Sequence, residues 1–247
     1  MKFDFMFLEQ LCTTPTEVLM EALTHHLRSC YTEVRSTSDY VIAFGEIPIA
    51  LVAHADTIWP CPPQEIYYDA FKRTCLALGQ GAGFDDRAGI YAIWKIIETL
   101  NQRRPTIIIT TGEEKCGIGA QKLAQDMKPK NIKYFIELDR ANKDDCVFYY
   151  CDNTNFQKYI ESFGFHTKEG SYTDISFLMD KWKICGVNLS IGYYNEHSDY
   201  EFLYVDYLND TIDKVIRMLC EKEIPEFVFK KRESKNGNKR NYCKKGS

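Results

Sequence analysis

A chain of 247 residues that is 45% hydrophobic, 27% charged and 14% aromatic has globular composition, which excludes a disordered chain or a coiled coil. Its longest apolar runs, such as residues 47–53, fall far short of the roughly 20 residues a membrane-spanning helix needs, so no membrane partner is expected. The net charge of −4 divides into +7 on residues 230–247 and −11 on the body before them, and an acidic body lacks the basic face that nucleic-acid binding requires.

Residues 5–29 read as helix in two pieces, divided near 13–16 with Pro15 beside a helix start. Residues 40–44 and 47–55 read as strands joined by the short Gly45-Glu46 connection. A loop rich in Pro and Cys (59–63) and a short strand (75–78) precede a helix over 85–100, where Ile90, Ile93, Trp94, Ile97 and Leu100 recur at helical spacing. Residues 106–110 form a continuous β-branched apolar run, the pattern of a strand buried on both faces. A helix (119–127) and strands at 132–138 and 147–151 follow. Helices near 156–163 and 175–180, a strand at 186–192 and a long helix over 205–221 complete the body.

Strands alternating with helices predict a three-layer α/β/α fold with a mainly parallel, mixed central sheet. No internal repeat or linker interrupts it, so residues 1–229 are expected to form one domain. Residues 230–247, rich in Lys, Arg, Asn, Ser and Gly, are expected to be a flexible, solubilising tail. The ten cysteines include no Cys-x-x-Cys pair, and Asp4 and Glu9 interrupt the apolar stretch an export signal needs. They read as reduced, mostly buried small hydrophobes of a cytoplasmic protein.

In such a sheet the ligand site lies outside the carboxyl ends of the strands. His54 ends one predicted strand, Glu113 and Glu114 follow another, Asp139 ends a third, His197 follows a fourth, and Asp85 heads a helix in the same layer. Carboxylates crowded at one rim repel each other unless a cation neutralises them. Imidazoles with several carboxylates suit zinc, with manganese or cobalt as substitutes, and their number exceeds what one tetrahedral ion needs. Two ions sharing a carboxylate, roughly 3.5–4 Å apart, fit the count. His54 and Asp56 share a strand face, which lets Asp56 hold the ring nitrogen that a metal does not take. Of the adjacent acids in the Thr-Gly-Glu-Glu loop, one suits a ligand and its neighbour a general base.

The ordered set His-Ala-Asp (54–56), Asp-Asp-Arg-Ala-Gly (85–89), Thr-Gly-Glu-Glu (111–114), Glu-Leu-Asp (137–139), Thr-Asp (173–174) and Asn-Glu-His-Ser (195–198) resembles the co-catalytic zinc exopeptidase superfamily. That superfamily includes peptidase T, carboxypeptidase G-like enzymes, aminoacylases and zinc aminopeptidases. The resemblance covers most of the chain before the tail and is nearest to the peptidase T-like branch. It implies that His54 and Asp139 hold one zinc, Glu114 and His197 a second, and Asp85 bridges both. Glu113 would be the general base for attack of a bridging water, and Asp56 would orient His54. The implied reaction is hydrolysis at the end of a small peptide, by an aminopeptidase or di/tripeptidase. An N-acyl amino acid deacylase using the same site and a silent binding protein are the alternatives. The 33 residues from Arg140 to Tyr172 leave no room for the lid domain inserted in peptidase T-like enzymes, so a lidless member is expected. His166, Tyr172 or Tyr194 could then stabilise the oxyanion. Asp86 and Arg87 are expected to cap and brace the helix start, Asp174 to shape the substrate pocket and Trp59 to wall it; His25 and His26 are expected at the surface.

Overall fold

The computed structural model describes residues 2–232. Its main sheet has eight strands: β1 (Val34–Ser36), β2 (Tyr40–Ala43), β3 (Ile47–His54), β6 (Pro105–Thr110), β7 (Tyr134–Arg140), β8 (Asp145–Val147), β9 (His166–Thr167) and β10 (Cys185–Ser190). They run in the order β1-β2-β6-β3-β7-β10-β8-β9. The four central strands β6, β3, β7 and β10 are parallel to one another, and β2 and β8 join them antiparallel. The reason lies in composition: Ala50 to Ala53 and Ile107 to Ile109 are all fully buried, as strands covered on both faces must be. A second, four-stranded antiparallel sheet is built from β4 (Tyr67–Asp69), β5 (Thr74–Leu76), β11 (Tyr193–Tyr194) and β12 (Phe202–Tyr204).

Seven helices flank the main sheet among the described residues: α1 (Phe5–Thr13), α2 (Thr16–Cys30), α3 (Phe84–Leu100), α4 (Ile118–Asp126), α5 (Thr154–Glu161), α6 (Asp174–Trp182) and α7 (Val205–Leu219). Helix α3 lies on β3 and β7 with α1 and α7 against it, while α4 and α6 pack together over β2, β3 and β10. Gly89 permits the closest of these approaches, since a Cβ there would lie 2.3 Å from the Leu138 carbonyl oxygen. Arg87 ties α1 and α2 to α3 by donating to the carbonyls of Leu11 (2.6 Å) and Thr14 (3.0 Å) and to Thr16 Oγ1 (3.2 Å). Cys12, Cys75, Cys146, Cys151 and Cys185 are core residues, and no helix of the described residues is long and apolar enough to cross a membrane.

The α/β architecture is as the sequence pattern predicts, but several elements differ. The expected strand at 147–151 ends at Val147, because Tyr149 takes a left-handed turn (φ 48°) and Cys151 makes only an isolated bridge to Lys231. The expected strand at 186–192 begins one residue earlier and divides at Gly192 (φ 95°), which turns the chain into the second sheet. The short strand expected at 75–78 is β5, shifted to 74–76, whereas the other strands of that sheet, with β1 and β9, escape the sequence reading because two- and three-residue strands have no measurable period. Of the basic segment 230–232 pairs with the body, through Asp152 N–H to the Lys230 carbonyl and Arg232 N–H to the Tyr150 carbonyl. The rest of that segment lies outside the described residues.

Candidate active site

The carboxyl ends of β3, β6 and β7 carry His54, the Glu113-Glu114 loop and Asp139, and the start of α3 brings Asp85 beside them. The regular helix does not begin at Asp85: Asp85 and Asp86 have non-helical backbones and are joined by a cis peptide. Asp86 caps the helix instead, accepting from Gly89 N–H (3.0 Å) through one oxygen and from His54 N–H (3.1 Å) through the other. With that work assigned to Asp86, the Asp85 carboxylate turns into the rim. Its two oxygens face two imidazoles, Oδ1 at 3.1 Å from His54 Nε2 and Oδ2 at 3.0 Å from His197 Nε2. His197 Nε2 also lies 3.0 Å from Glu114 Oε1, and His54 Nε2 lies 3.6 Å from Asp139 Oδ1. His197 reaches this position because its own backbone is left-handed (φ 61°) in the loop between β11 and β12.

The five residues chosen from the sequence as ligands are therefore brought together, with one carboxylate between the two imidazoles. His54, Asp85 and Glu114 have donor atoms within 4.8 Å of one another, and so do His54, Asp86 and Asp139. Asp86 is the weaker candidate of the two acids, because both its oxygens already accept backbone amides. Glu113 lines the same cavity, of about 260 Å³, with Asp85, Glu114, Asp139 and His197.

Asp56 differs in detail from expectation. Its backbone carbonyl, 2.9 Å from His54 Nδ1, is nearer to the ring than its carboxylate at 3.5 Å. The carboxylate accepts instead from the backbone N–H groups of Glu113 and Glu114, both at 3.3 Å, and so positions the two acids. The physical reason is reach: a side chain two residues along the strand end lies closer to the adjacent loop than to the ring edge.

Electrostatics at the rim are dominated by burial. Desolvation and the carboxylates of Asp139, Asp174 and Asp85 push the Glu113 carboxyl well above its ordinary range, against the pull of His54. Burial also raises Asp139 and Asp174. Burial draws His54 toward neutrality, but Asp139, Asp56 and Asp85 together outweigh it and hold the ring charged. His197 is raised to about 11 by its hydrogen bonds to Asp85 and Glu114. Glu137 Oε2 and Asp174 Oδ1 are buried without a hydrogen-bond partner. Such a concentration of buried acid, facing two imidazole nitrogens, is a donor set that a divalent cation completes.

Several supporting residues were missed in the sequence. Glu201, almost fully buried, accepts from Gly83 N–H (2.7 Å) and Asp85 N–H (3.0 Å), fixing the backbone that aims Asp85. Asn188 grips Asp139 on both sides of its peptide, donating to its carbonyl (2.8 Å) and accepting from its N–H (3.0 Å). Thr173 Oγ1 (3.0 Å) and the Tyr193 hydroxyl (3.2 Å) donate to the Asp139 carboxylate. The only sequence signal for Glu201 was an acid four residues beyond His197. Removing its carboxylate strands two buried amides at about 1–3 kcal/mol each, partly offset by relief of repulsion with Asp85. Glu201→Ala is expected to lower the melting midpoint by roughly 5 °C in a scanning-fluorimetry measurement; an unchanged midpoint would show that the clamp carries no stability.

Other expected roles fall elsewhere. Trp59 walls a separate cleft of about 1290 Å³ along α2, which reaches Asp56 but none of the five ligand candidates; His25 lines it too. That cleft is the larger, but Asp85, Glu113, Glu114, Asp139 and His197 line the smaller one. Asp174 is buried beneath the site, accepting from the Thr110 hydroxyl, and does not line the cavity. Tyr172 does line it, whereas Tyr194 stacks on Phe202 at 5.3 Å and His166 lies exposed on the edge strand β9. His26 stacks on Trp94 at 3.7 Å.

A rim of this composition, at the carboxyl ends of parallel strands in an α/β sheet, defines a candidate metal-binding site. The family model described as Peptidase family M28 matches residues 43–176, and the chain belongs to that family. It is accordingly a metallopeptidase of the exopeptidase type. Solved structures of similar fold include the TET aminopeptidase from the marine sediment archaeon Thaumarchaeota archaeon SCGC AB-539-E09, at TM-score 0.69 and 14% identity over 89% of this chain and 96% of that one. Another is the aminopeptidase PepT from Bacillus cereus ATCC 10987, at TM-score 0.65 and 14% identity over 85% and 95%. A tripeptidase from Staphylococcus aureus subsp. aureus Mu50 aligns at TM-score 0.67 and 12% identity over 85% and 95%. No curated protein matches the sequence.

Proposed function

We propose that this chain removes residues from the end of a short peptide by hydrolysis, using two zinc ions and Glu113 as general base. The observation that carries the reading is the Asp85 carboxylate set between the His54 and His197 nitrogens, with Asp139 and Glu114 at the outer sides. His54 and Asp139 would hold one ion, His197 and Glu114 the other, and Asp85 would be shared. When bound, the ions supply positive charge that polarises the scissile carbonyl and acidifies water near neutral pH. Glu113 lines the cavity without belonging to either ligand set, so its carboxylate is free to take the proton of the attacking water. It then returns that proton to the leaving amine. Asp56 holds Glu113 in place through its backbone N–H, and Asn188, Thr173 and Tyr193 fix Asp139. Residues 1–229 are read as the catalytic domain.

Elemental analysis of the purified protein, followed by assay of dipeptides, aminoacyl amides and N-acetyl amino acids with and without chelator, tests this directly. About two equivalents of zinc and chelator-sensitive release of a peptide end are expected. Cleavage of N-acetyl amino acids alone would move the assignment to a deacylase. Peptide cleavage indifferent to chelator would refute the metal mechanism.

A further inference from the structure

The cavity wall holds one permanent cation. Alongside Asp85, Glu113, Glu114, Asp139 and the exposed Glu196 stands Arg140, the residue after Asp139 on β7, about four-fifths buried. Among the described residues its guanidinium is only partly satisfied. Its Nε is buried without a partner. One Nη reaches the Glu169 carbonyl only at 3.5 Å and the Asp145 carboxylate only at 3.8 Å. Asp145 already accepts from Asn142 (3.2 Å) through that same oxygen, and the Glu169 carboxylate is taken by Arg232 at 3.2 Å to both oxygens. A guanidinium has five donors in a fixed fork, stays charged at any working pH, and matches a carboxylate bidentately.

Resting on the peptidase reading, we infer that Arg140 binds the C-terminal carboxylate of the substrate and makes the enzyme selective for short peptides with a free C-terminus. Three features point to that group. The guanidinium lines the same cavity as the candidate ligands Asp85, Glu114, Asp139 and His197, so a substrate held there can reach it. A volume of about 260 Å³ lies just below the roughly 300–1,000 Å³ of drug-sized ligand sites, which suits a di- or tripeptide better than a continuing chain. Glu196, outside both ligand sets, offers the same cavity an anion for an ammonium group, so the wall complements a zwitterion.

The test compares Ala-Ala, its C-terminal amide, and Ala-Glu amide, whose only carboxylate is in the side chain, on the zinc-loaded protein. The wild type is expected to favour Ala-Ala over its amide by roughly 10- to 100-fold in kcat/KM, chiefly through KM. Arg140→Ala should bring that ratio within about threefold of unity, and Arg140→Lys should retain part of it. Equal wild-type rates on acid and amide, or a ratio that Arg140→Ala leaves intact, would overturn the inference. So would Ala-Glu amide matching Ala-Ala, which would assign Arg140 to a substrate side chain. Calorimetric binding of Ala-Ala and its amide to Glu113→Gln, and to Glu113→Gln carrying Arg140→Ala, reads the same contact without turnover. Acid-selective binding lost with Arg140, where the zinc-loaded parent hydrolyses no peptide, supports the carboxylate site and refutes the peptidase reading. Acid and amide binding alike refutes the carboxylate site itself.

Discussion

Replacing Glu113 by Gln is expected to lower kcat by roughly 10³-fold, within the 10²–10⁴ range attached to a general base, while metal content and fold stay as in the parent. The carboxamide has the same shape as the carboxylate but cannot take up a proton. Under the proposed assignment Glu113 is the base and not a ligand, so its loss is expected to leave the metal in place. Neutralising one of five acids in a crowded cavity also relieves repulsion, so the variant should melt no lower than the parent. Steady-state kinetics beside elemental analysis decides the matter. A variant that turns over at the parent rate assigns the base elsewhere, and one that has lost its metal makes Glu113 a ligand.

Stripping the metal is expected to abolish activity and to lower the melting midpoint by roughly 10 °C. An ion present at about 1,000 times its dissociation constant stabilises by about 4 kcal/mol, and a domain of this size shifts by about 2–4 °C per kcal/mol. The stripped protein should also lose stability as pH rises. Burial raises Glu201 from its ordinary 4.5 to about 7, so the stability linked to its proton is full below pH 4.5 and lost as pH climbs through 7. Hydrogen bonds to Asp85 and Glu114 raise His197 from 6.5 to about 11, so its contribution is full below 6.5 and is lost progressively above it. Glu113, Asp139 and Asp174 are raised as well and act in the same direction. Asp85 and Asp56 are lowered, and their contributions fail only in acid below the ordinary carboxylate range. Between pH 5 and 9 the chelated protein should therefore melt progressively lower, while added zinc, standing in for the protons, flattens the trend. A chelated protein whose midpoint is level across that range would contradict the picture of a rim held together by protons or cations.

The ligand candidates were legible for a physical reason. Acids and imidazoles at the ends of apolar, β-branched runs have no structural use there, and a parallel sheet delivers such ends to one rim. His54, Glu113, Glu114 and Asp139 follow from that rule, and Asp85 from its place before a helical period. Glu201 and Asn188 did not follow. Glu201 acts across 116 and 118 residues on the backbone of Asp85 and Gly83, and Asn188 across 49 on Asp139. An Asn inside a buried strand or a Glu past a loop is silent until its partner is known.

Local patterns of apolar residues, read along the chain, determined the α/β class, the order of the long elements and the residue types destined for the rim. Period and burial are properties of short stretches, so no partner need be known. The tertiary structure alone decided which aspartate of the 85–86 pair caps the helix and which turns to the imidazoles. It also decided that Asp56 serves the loop more than the ring, and that Arg140 stands under-satisfied in the cavity wall. Each of those outcomes depends on which distant donor or acceptor arrives within about 3 Å, and that distance is set by how whole elements pack.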